Sequence, residues 1–563
     1  MSEVADSPLF ATSSGLNGPA LDSRTLVIFP FDEREASGPA GAAAAATALP
    51  LASAHGSYSG VIGTMFVGDW YGVIHISESL LALGNVVSSQ LRTIGVWNAH
   101  LDSEETLNAV NATGATGIVV TAPGALPLVF ARNEEKTWTF AISVDGPPTV
   151  DATFVWEFDD GESVQLHITG ARVTPWAALP DWTNGISERL GWKTDVLTAW
   201  SGVEQRRALR LSPRRIFGFQ ALLNAQDKRS IEAALFAWSS MVWALPIWTD
   251  GEALTAALAP GATTIPADTV NRDYVDGGLA ILINDAASYE VLQIDSVSSS
   301  ALALSQAVLG SWQAGRARLF PVRTARLQGF PQITRYNDDY IGVQAQFVTV
   351  EPCDWTPALP ATTYRGVAVL ENRPSEGALG ATYTRQMAII DPETGVFAVD
   401  DTAQQGFPLT THDWWLDGRT ARATFRSLLY ALKGRQGALW VPTYQQDLLV
   451  AALIASNATN IDVEWFGYTR YLSGRINRRD IRIELNNGTI FYRRITGASE
   501  VSAAVERLSI DSQLGQNVAP SAIRAISFLT MCRLDADDIE IAHLTNQGLA
   551  QATTNWRAVR SDV

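Results

Sequence analysis

From Asp227 to Gly251 the apolar positions follow two periods in succession. Ile231, Ala234, Leu235 and Trp238 recur at i, i+3, i+4 and i+7, the spacing of one helix face. Met241 to Trp248 is then an apolar and aromatic run closed by Thr249-Asp250-Gly251, which reads as a strand and a turn. The same order returns between Gly418 and Asp447: Phe425, Leu428, Leu429 and Leu432 make the stripe, and Gly437 to Tyr444 the strand. Trp243-Ala244-Leu245-Pro246 matches Trp440-Val441-Pro442 with a gap of about one residue. A helix and a strand ending on aromatic, apolar and Pro, twice in one chain, predicts an internal repeat.

The rest of the pattern arranges itself around that repeat. Residues 1–60 are rich in Ala, Ser, Gly and Pro and read as a flexible or extended arm. In 61–174, short alternating runs at 73–76, 90–98, 116–121, 136–144, 152–158 and 164–169, with turns at Asn111, Asp145 and Asp159, predict a β-sandwich of immunoglobulin type. Trp97 and Trp156 are expected in its core. The first repeat copy occupies 175–352. It has long strands at 195–211 and 215–223, the helix at 227–240, a small all-β insert at 252–320, and strands at 323–335 and 340–350. The second copy occupies 353–563. It has strands at 384–391, 396–400 and 410–416, the helix at 418–433, an insert at 448–528, and closing strands at 525–534 and 538–545. Pro442 follows Pro246 by 196 residues and Arg533 follows Arg326 by 207, so the second insert is longer, a change that surface loops tolerate. The fold class is therefore mainly β: one sandwich, then two tandem modules, each with a flanking helix and an inserted small β-domain.

Composition narrows the function classes. Apolar residues are 47% of 563, enough for several cores, while charged residues are only 18%. So low a charge fraction points to surface covered by other subunits. The net charge of −17 argues against a broad grip on nucleic acid, which needs clustered cations. Two cysteines, Cys353 and Cys532, exclude a disulfide scaffold and leave buried thiols as the expectation. No apolar run is long enough to span a membrane, so no membrane anchor is expected. MSEVADSPLF lacks a signal core, which fits maturation in a reducing cytoplasm.

No catalytic or phosphate-binding motif is present, and the expectation is no enzyme, no metal and no cofactor. Asp159-Asp160-Gly161-Glu162 reads as a hairpin turn. The acidic run Asp535, Asp537, Asp538 and Glu540, with Asp338 and Asp339 as the corresponding turn of the first copy, could face a shared channel or solvent. Asp338, Asp339, Asp537 and Asp538 are thus candidate channel-facing residues. Arg206, Arg207 and Arg210, followed by Arg214 and Arg215, form the dense basic cluster and are candidates for a subunit interface.

The repeated unit and the phrases SGVEQRRALRLSPRRIFGFQALL and GRQGALWVPTYQQDLLVA resemble the distal tail and baseplate-hub proteins of long-tailed (siphovirus-type) bacteriophages, over roughly 175–563. YGVIHISESLLALGNVVSSQLRTIGVWNAHL resembles the immunoglobulin-like domain that opens some of them. The resemblance implies a tail-tube module whose sheets join side by side around the DNA channel. Common distal tail proteins carry one such module, whereas this chain has two. It further implies a structural virion protein of the tail tip, assembled in the host bacterial cytoplasm, with transient, non-specific passage of DNA. The implied partners are the tail tube protein, the baseplate hub, fibre or receptor-binding proteins, and the tape measure protein. Two modules per chain suggest a homotrimer with pseudo-sixfold symmetry; the alternative is a homohexamer with one module outside the ring. Two other classes compete: a carbohydrate-binding adhesin using the sandwich and exposed tryptophans, and a tail-associated lysin, for which no pair of carboxylates can be chosen.

Overall fold

The computed structural model describes residues 70–560 apart from 87–88, 144–148, 286–287, 375–379 and 547, and omits the side chains of 84, 85, 149, 171, 237 and 238. The arm at 1–60, the turn at Asp145 and the side chain of Trp238 lie outside the described residues. The chain is mainly β and divides into two compact units, 1–173 and 174–563. No helix among the described residues is long and apolar enough to cross a membrane.

In the first unit, alternation along each strand turns one row of side chains inward. One sheet orders Leu80–Val86, Ser163–Arg172, Thr149–Phe158, Glu105–Thr113 and Leu128–Phe130; the other orders Ile74–Ile76, Gln90–Asn98, Glu135–Ile142 and Ile118–Thr121. Their inner rows share one core around Phe130, Trp138, Phe140, Phe154 and Trp156, with Trp138 edge-on to Trp156 at 5.7 Å. Three of these strands, Leu80–Val86, Glu105–Thr113 and Leu128–Phe130, have no counterpart among the sequence expectations. Trp156 is in the core as expected. Trp97 is not: it is half-buried, stacks on His75 at 5.4 Å and donates to Asn133 Oδ1 at 3.0 Å.

The second unit contains one pattern of strand pairing twice. The first occurrence uses β1 (Ile186–Gly191), β2 (Arg214–Asn224), α1 (Ala225–Trp238), β3 (Trp243–Pro246), β4 (Arg318–Leu327), β5 (Gln332–Arg335) and β6 (Tyr340–Thr349). The second uses β7 (Ala381–Thr384), β8 (Phe407–Leu416), α2 (Gly418–Leu432), β9 (Ala438–Pro442), β10 (Ile523–Leu534), β11 (Asp538–His543) and β12 (Ala550–Ala558). β1 pairs β2, β2 pairs β6, β6 pairs β5 and β4, and β4 pairs β3. Likewise β7 pairs β8, β8 pairs β12, β12 pairs β11 and β10, and β10 pairs β9. Each copy carries its own inserted β-domain, with cores around Ile265, Leu282 and Leu302, and around Ile461, Ile483 and Leu508.

Two sequence expectations need correction. Residues 195–211 are not one strand but a hairpin, Thr194–Thr198 against Glu204–Ala208, reversed at Gly202 with φ +83°; the same hairpin recurs as Met387–Ile390 against Ala398–Asp401. Residues 323–335 are likewise two strands, with a turn at Gly329, φ +78°. The counterpart of 538–543 is therefore β5, and the counterpart of β6 is β12, which has no place in the expected order. Hence Asp338 and Asp339, between β5 and β6, do not correspond to the acidic run that leads into β11.

The copies are joined through a shared edge. β1 pairs antiparallel with β11, Glu188 opposite Ile541 and Leu190 opposite Ile539. The strands then run in one series, β5-β6-β2-β1-β11-β12-β8-β7. One face of this series is the core. The first copy fills it with Trp176, Phe219, Trp243 and Phe347, in ring contact at 5.2–6.3 Å. The second fills it with Phe425, Leu429, Leu439 and Trp556, joined by Leu190 and Trp192 from the first copy.

Candidate functional site

The opposite face of the eight-strand series is open and polar. Gln346, Gly218 and Ser187 lie side by side across β6, β2 and β1. Ala542 lies beside Ser187, Gln551 beside Ala542, and Trp415 beside Gln551. The row alternates with buried neighbours by the period of two that any strand imposes. Arg189 sits opposite Glu540, and Gly191 opposite Asp538, so charges of both signs are spread thinly among amides, hydroxyls and the exposed apolar side chains Leu222 and Trp415. Such a face offers nothing resembling the clustered cations that phosphate binding requires.

The core face of the β1–β11 joint holds a buried ionic cluster. Glu188 accepts from Arg215 Nε at 3.0 Å, Arg426 Nη2 at 2.9 Å and His543 Nε2 at 2.8 Å. Asp273, from the first insert, pairs with Arg215 and accepts from Arg323 at 2.7 Å. Asp250 pairs with Arg422, which also donates to Thr249 O at 3.1 Å. Burial alone would raise the Glu188 pKa, but the charges of Arg426 and Arg215 and the hydrogen bond from His543 outweigh it and hold the carboxyl well below its usual range. Burial pushes the His543 pKa down, opposed by Glu188. Arg419, Arg422 and Arg426 are the contribution of α2, and a signal for them was in the sequence: they recur at i, i+3 and i+7 beside the apolar stripe.

The candidate residues fall in different places. Asp338 and Asp339 are exposed in the β5–β6 turn; their backbone carbonyls accept from Lys228 and Ala225. Asp538 is exposed on the open face. The Asp537 carboxylate instead ties the copies together. It accepts from Thr194 N at 2.8 Å, Thr194 Oγ1 at 2.7 Å and Arg435 N at 3.0 Å. Burial raises its pKa, but these bonds bring it below the ordinary value. Gly434, at φ +67°, is needed here: a Cβ would lie 2.4 Å from Asp537 Oδ1 and 2.9 Å from Trp192 Cβ. Arg206 is partly buried beside Glu204 and Arg533, which pair with each other at 2.7 Å. Arg207 is exposed, and Arg210 donates to Gly191 O at 3.2 Å. Arg215 is drawn into the buried cluster, so the basic run does not act as one patch. The cysteines are both free and buried, and burial pushes the Cys532 thiol up to about 12.

In the first unit the acids of 159–162 serve the backbone. Asp160 Oδ1 accepts from Glu162 N at 2.8 Å, Asp159 from Thr106 N at 3.1 Å and Glu162 from Ile74 N at 3.0 Å. His100, Asp160 and Glu162 offer ligand atoms within 4.8 Å of one another, but these bonds already explain where the acids point.

A cavity of about 1090 Å³ opens at the free end of the second copy. Its walls come from β7, the start of β8, the 441–447 segment and the second insert, and include Tyr383, Arg385, Asp447, Arg475 and Arg478. Gln405, His412 and Asn477 line it too; they are buried, and Gln405 Nε2, His412 Nε2 and Asn477 Nδ2 have no hydrogen-bond partner among the described residues. Leaving buried polar atoms unpaired costs about 1–3 kcal/mol each.

His412 supplies a pH test. Burial pushes its pKa down to about 4, against the opposing charge of Asp413 and hydrogen bonds to the backbone of Asn372 and Arg373. A folded-state pKa below the unfolded value of about 6.5 means stability is fully present above pH 6.5 and is lost as pH falls towards 4. The expected loss is about 3 kcal/mol. Denaturant melts of wild type and His412→Gln between pH 7 and 4 should diverge by that amount, the variant having the flatter profile; parallel profiles would show that the ring is already solvated.

No family model and no curated protein matches the chain. Among solved structures, similarity is found to the secreted serine protease VesC from Vibrio cholerae, at 10% identity and a TM-score of 0.16, over 46% of this chain and 53% of that one. The match spans about half of that protease, and a TM-score this low carries no argument about fold or activity.

Proposed function

We propose that this chain is a structural virion protein of a bacteriophage tail tip, which forms a ring around the DNA channel between the tail tube and the baseplate hub or fibres. One observation carries the reading: the eight-strand series ends on β5 and β7, and the counterparts of these strands, β11 and β1, are the pair that joins the two copies inside the chain. β5 of one chain can therefore take β7 of the next in the register already used at β1–β11. Repetition of that step is a head-to-tail contact, which closes into a ring and leaves no edge strand open. Both ends are bare in the single chain: Ile333 is 39% exposed and Tyr383 66%.

In this reading each chain supplies two neighbouring modules, and three chains complete a pseudo-sixfold ring. The open polar face lines the lumen, where amides and thinly spread charges let DNA pass without holding it. The first unit is read as an immunoglobulin-like domain. The tape measure protein and the tail tube are the neighbours on the ring's axis, and no catalytic role is assigned. Native mass measurement of the assembled particle is expected to give three times 60.8 kDa; six times that mass supports a hexamer with one module outside the ring.

A second reading, binding of a host-surface carbohydrate, draws on Trp70, His75 and Trp97, which cluster at 5.4–5.6 Å on the first unit with Trp70 exposed. Retention on bacterial surface polysaccharide that Trp70→Ala abolishes would favour it.

A further inference from the structure

We propose that α1 of one copy docks into the cavity at the free end of the next copy, as α2 docks on the first half within the chain. The proposal rests on the ring reading and adds a second contact to it, made by a helix and not by sheet edges.

Within the chain, α2 meets the first half at three points. Arg426 reaches Glu188 on β1, Arg422 and Arg419 reach the 249–251 segment after β3, and Tyr430 stacks edge-on against Trp192 at 5.7 Å. The strand registers identify what corresponds to each point in the second half. Glu188 lies opposite Phe217, and Ala381 lies opposite Thr410. Phe217 pairs with Phe347, as Thr410 pairs with Trp556. Ala381 is thus the counterpart of Glu188, and Arg385 that of Trp192. The segment after β9, which carries Asp447, corresponds to the one after β3, which carries Asp250. Ala381, Arg385 and Asp447 all line the cavity. The cavity is therefore the counterpart of the surface that α2 covers in the first half, and none of the described residues covers it in the second.

The helix that should cover it is bare at Phe236, while Lys228 donates to Asp338 O and Glu232 pairs with Arg335 at 2.8 Å, contacts that docking would exchange. Ile231 is the buried anchor of α1, as Phe425 is of α2. Counting from these, Lys228 stands for Arg422, Glu232 for Arg426 and Phe236 for Tyr430. Tyr430 is 5% exposed and Phe236 is 95% exposed. The signs follow the exchange of partners. Glu188 and Asp250 receive Arg426 and Arg422 from α2 within the chain, whereas the cavity presents Arg385, Arg475 and Arg478 to Glu232 and keeps Asp447 for Lys228. Phe236 comes to the guanidinium of Arg385, a favourable cation–π partner. Gln405, His412 and Asn477 gain an occupant for their unpaired atoms.

The test uses the full chain and two cysteine pairs, each placed on separate chains that are then mixed. Phe236→Cys with Arg385→Cys probes the helix in the cavity; Ile333→Cys with Ala381→Cys probes the sheet edges, since their counterparts Ile541 and Glu188 lie directly opposite each other. Disulfide-linked chains from both mixtures are expected. An edge cross-link without the helix cross-link leaves the ring standing and overturns the docking of α1. Neither cross-link, with a mass of one chain, overturns both. Phe236→Asp is the independent check. Because the side chain is exposed, the melting point of the dissociated chain should not move, while assembly weakens by at least about tenfold; unchanged assembly overturns the proposal.

Discussion

Glu188→Ala is expected to separate the two halves of the second unit, at a cost of about 3–5 kcal/mol, the usual cost of breaking a buried ion pair by removing one partner. Glu188 is fully buried, and its carboxylate receives Arg215, Arg426 and His543. Arg215 would keep Asp273, but Arg426 donates to no other acceptor among the described residues, and its Nε is already unpaired there. A buried guanidinium without a counter-charge either draws water into the joint or drives the halves apart. Denaturant unfolding of the Ala variant should show the loss as a transition at lower denaturant than in wild type. Glu188→Gln should fall between wild type and the Ala variant, keeping one acceptor oxygen but neither the second nor the charge. Replacing Glu188 and Arg426 together by Met should recover much of the loss, since an apolar pair carries no desolvation cost. If the single Ala variant melts like wild type, the cluster is not sealed from solvent.

Leu429→Asp should prevent soluble folding, whereas Leu235→Asp should be tolerated far better. The two leucines hold the same place in the helix stripe, so sequence alone predicts equal damage. Leu429 lies in a core shared with Leu190, Trp414 and Leu534, and an unpaired carboxylate there costs several kcal/mol, of order the whole stability of a typical domain. Leu235 is only partly buried, and its aspartate can reach water. Soluble yield and the thermal melt of each variant decide the matter; equal collapse would mean that α1 is covered in the isolated chain as fully as α2.

That contrast marks where sequence reading stops. Both helices and the strands at 90–98 and 340–349 stand close to where alternation puts them, because a strand or helix period is written in neighbouring residues. β12 escaped notice although it alternates correctly: its inward row is Ala550, Ala552, Thr554, Trp556 and Ala558, mostly small residues that carry a weak apolar signal. The hairpin at 194–208 reads as one strand in sequence because its reversal, Ala199-Trp200-Ser201-Gly202, has an aromatic in the middle of the turn. Missing one strand and fusing two others displaced the match between copies, so the acidic turns were paired wrongly.

The sequence by itself determined that the chain is mainly β, where its two packed helices run, and that a helix-strand unit occurs twice. It did so because those features depend on local period and on residues a few positions apart. Which strand pairs with which, and which charges are buried, depends on contacts across the chain. β1 meets β11, and Glu188 meets His543, 355 residues away. Carboxylates and guanidinia look alike in sequence whether they face water or one another. Only the folded chain decides that Asp537, in the bend before β11, ties the copies together while Asp538, which begins the strand, faces the open side.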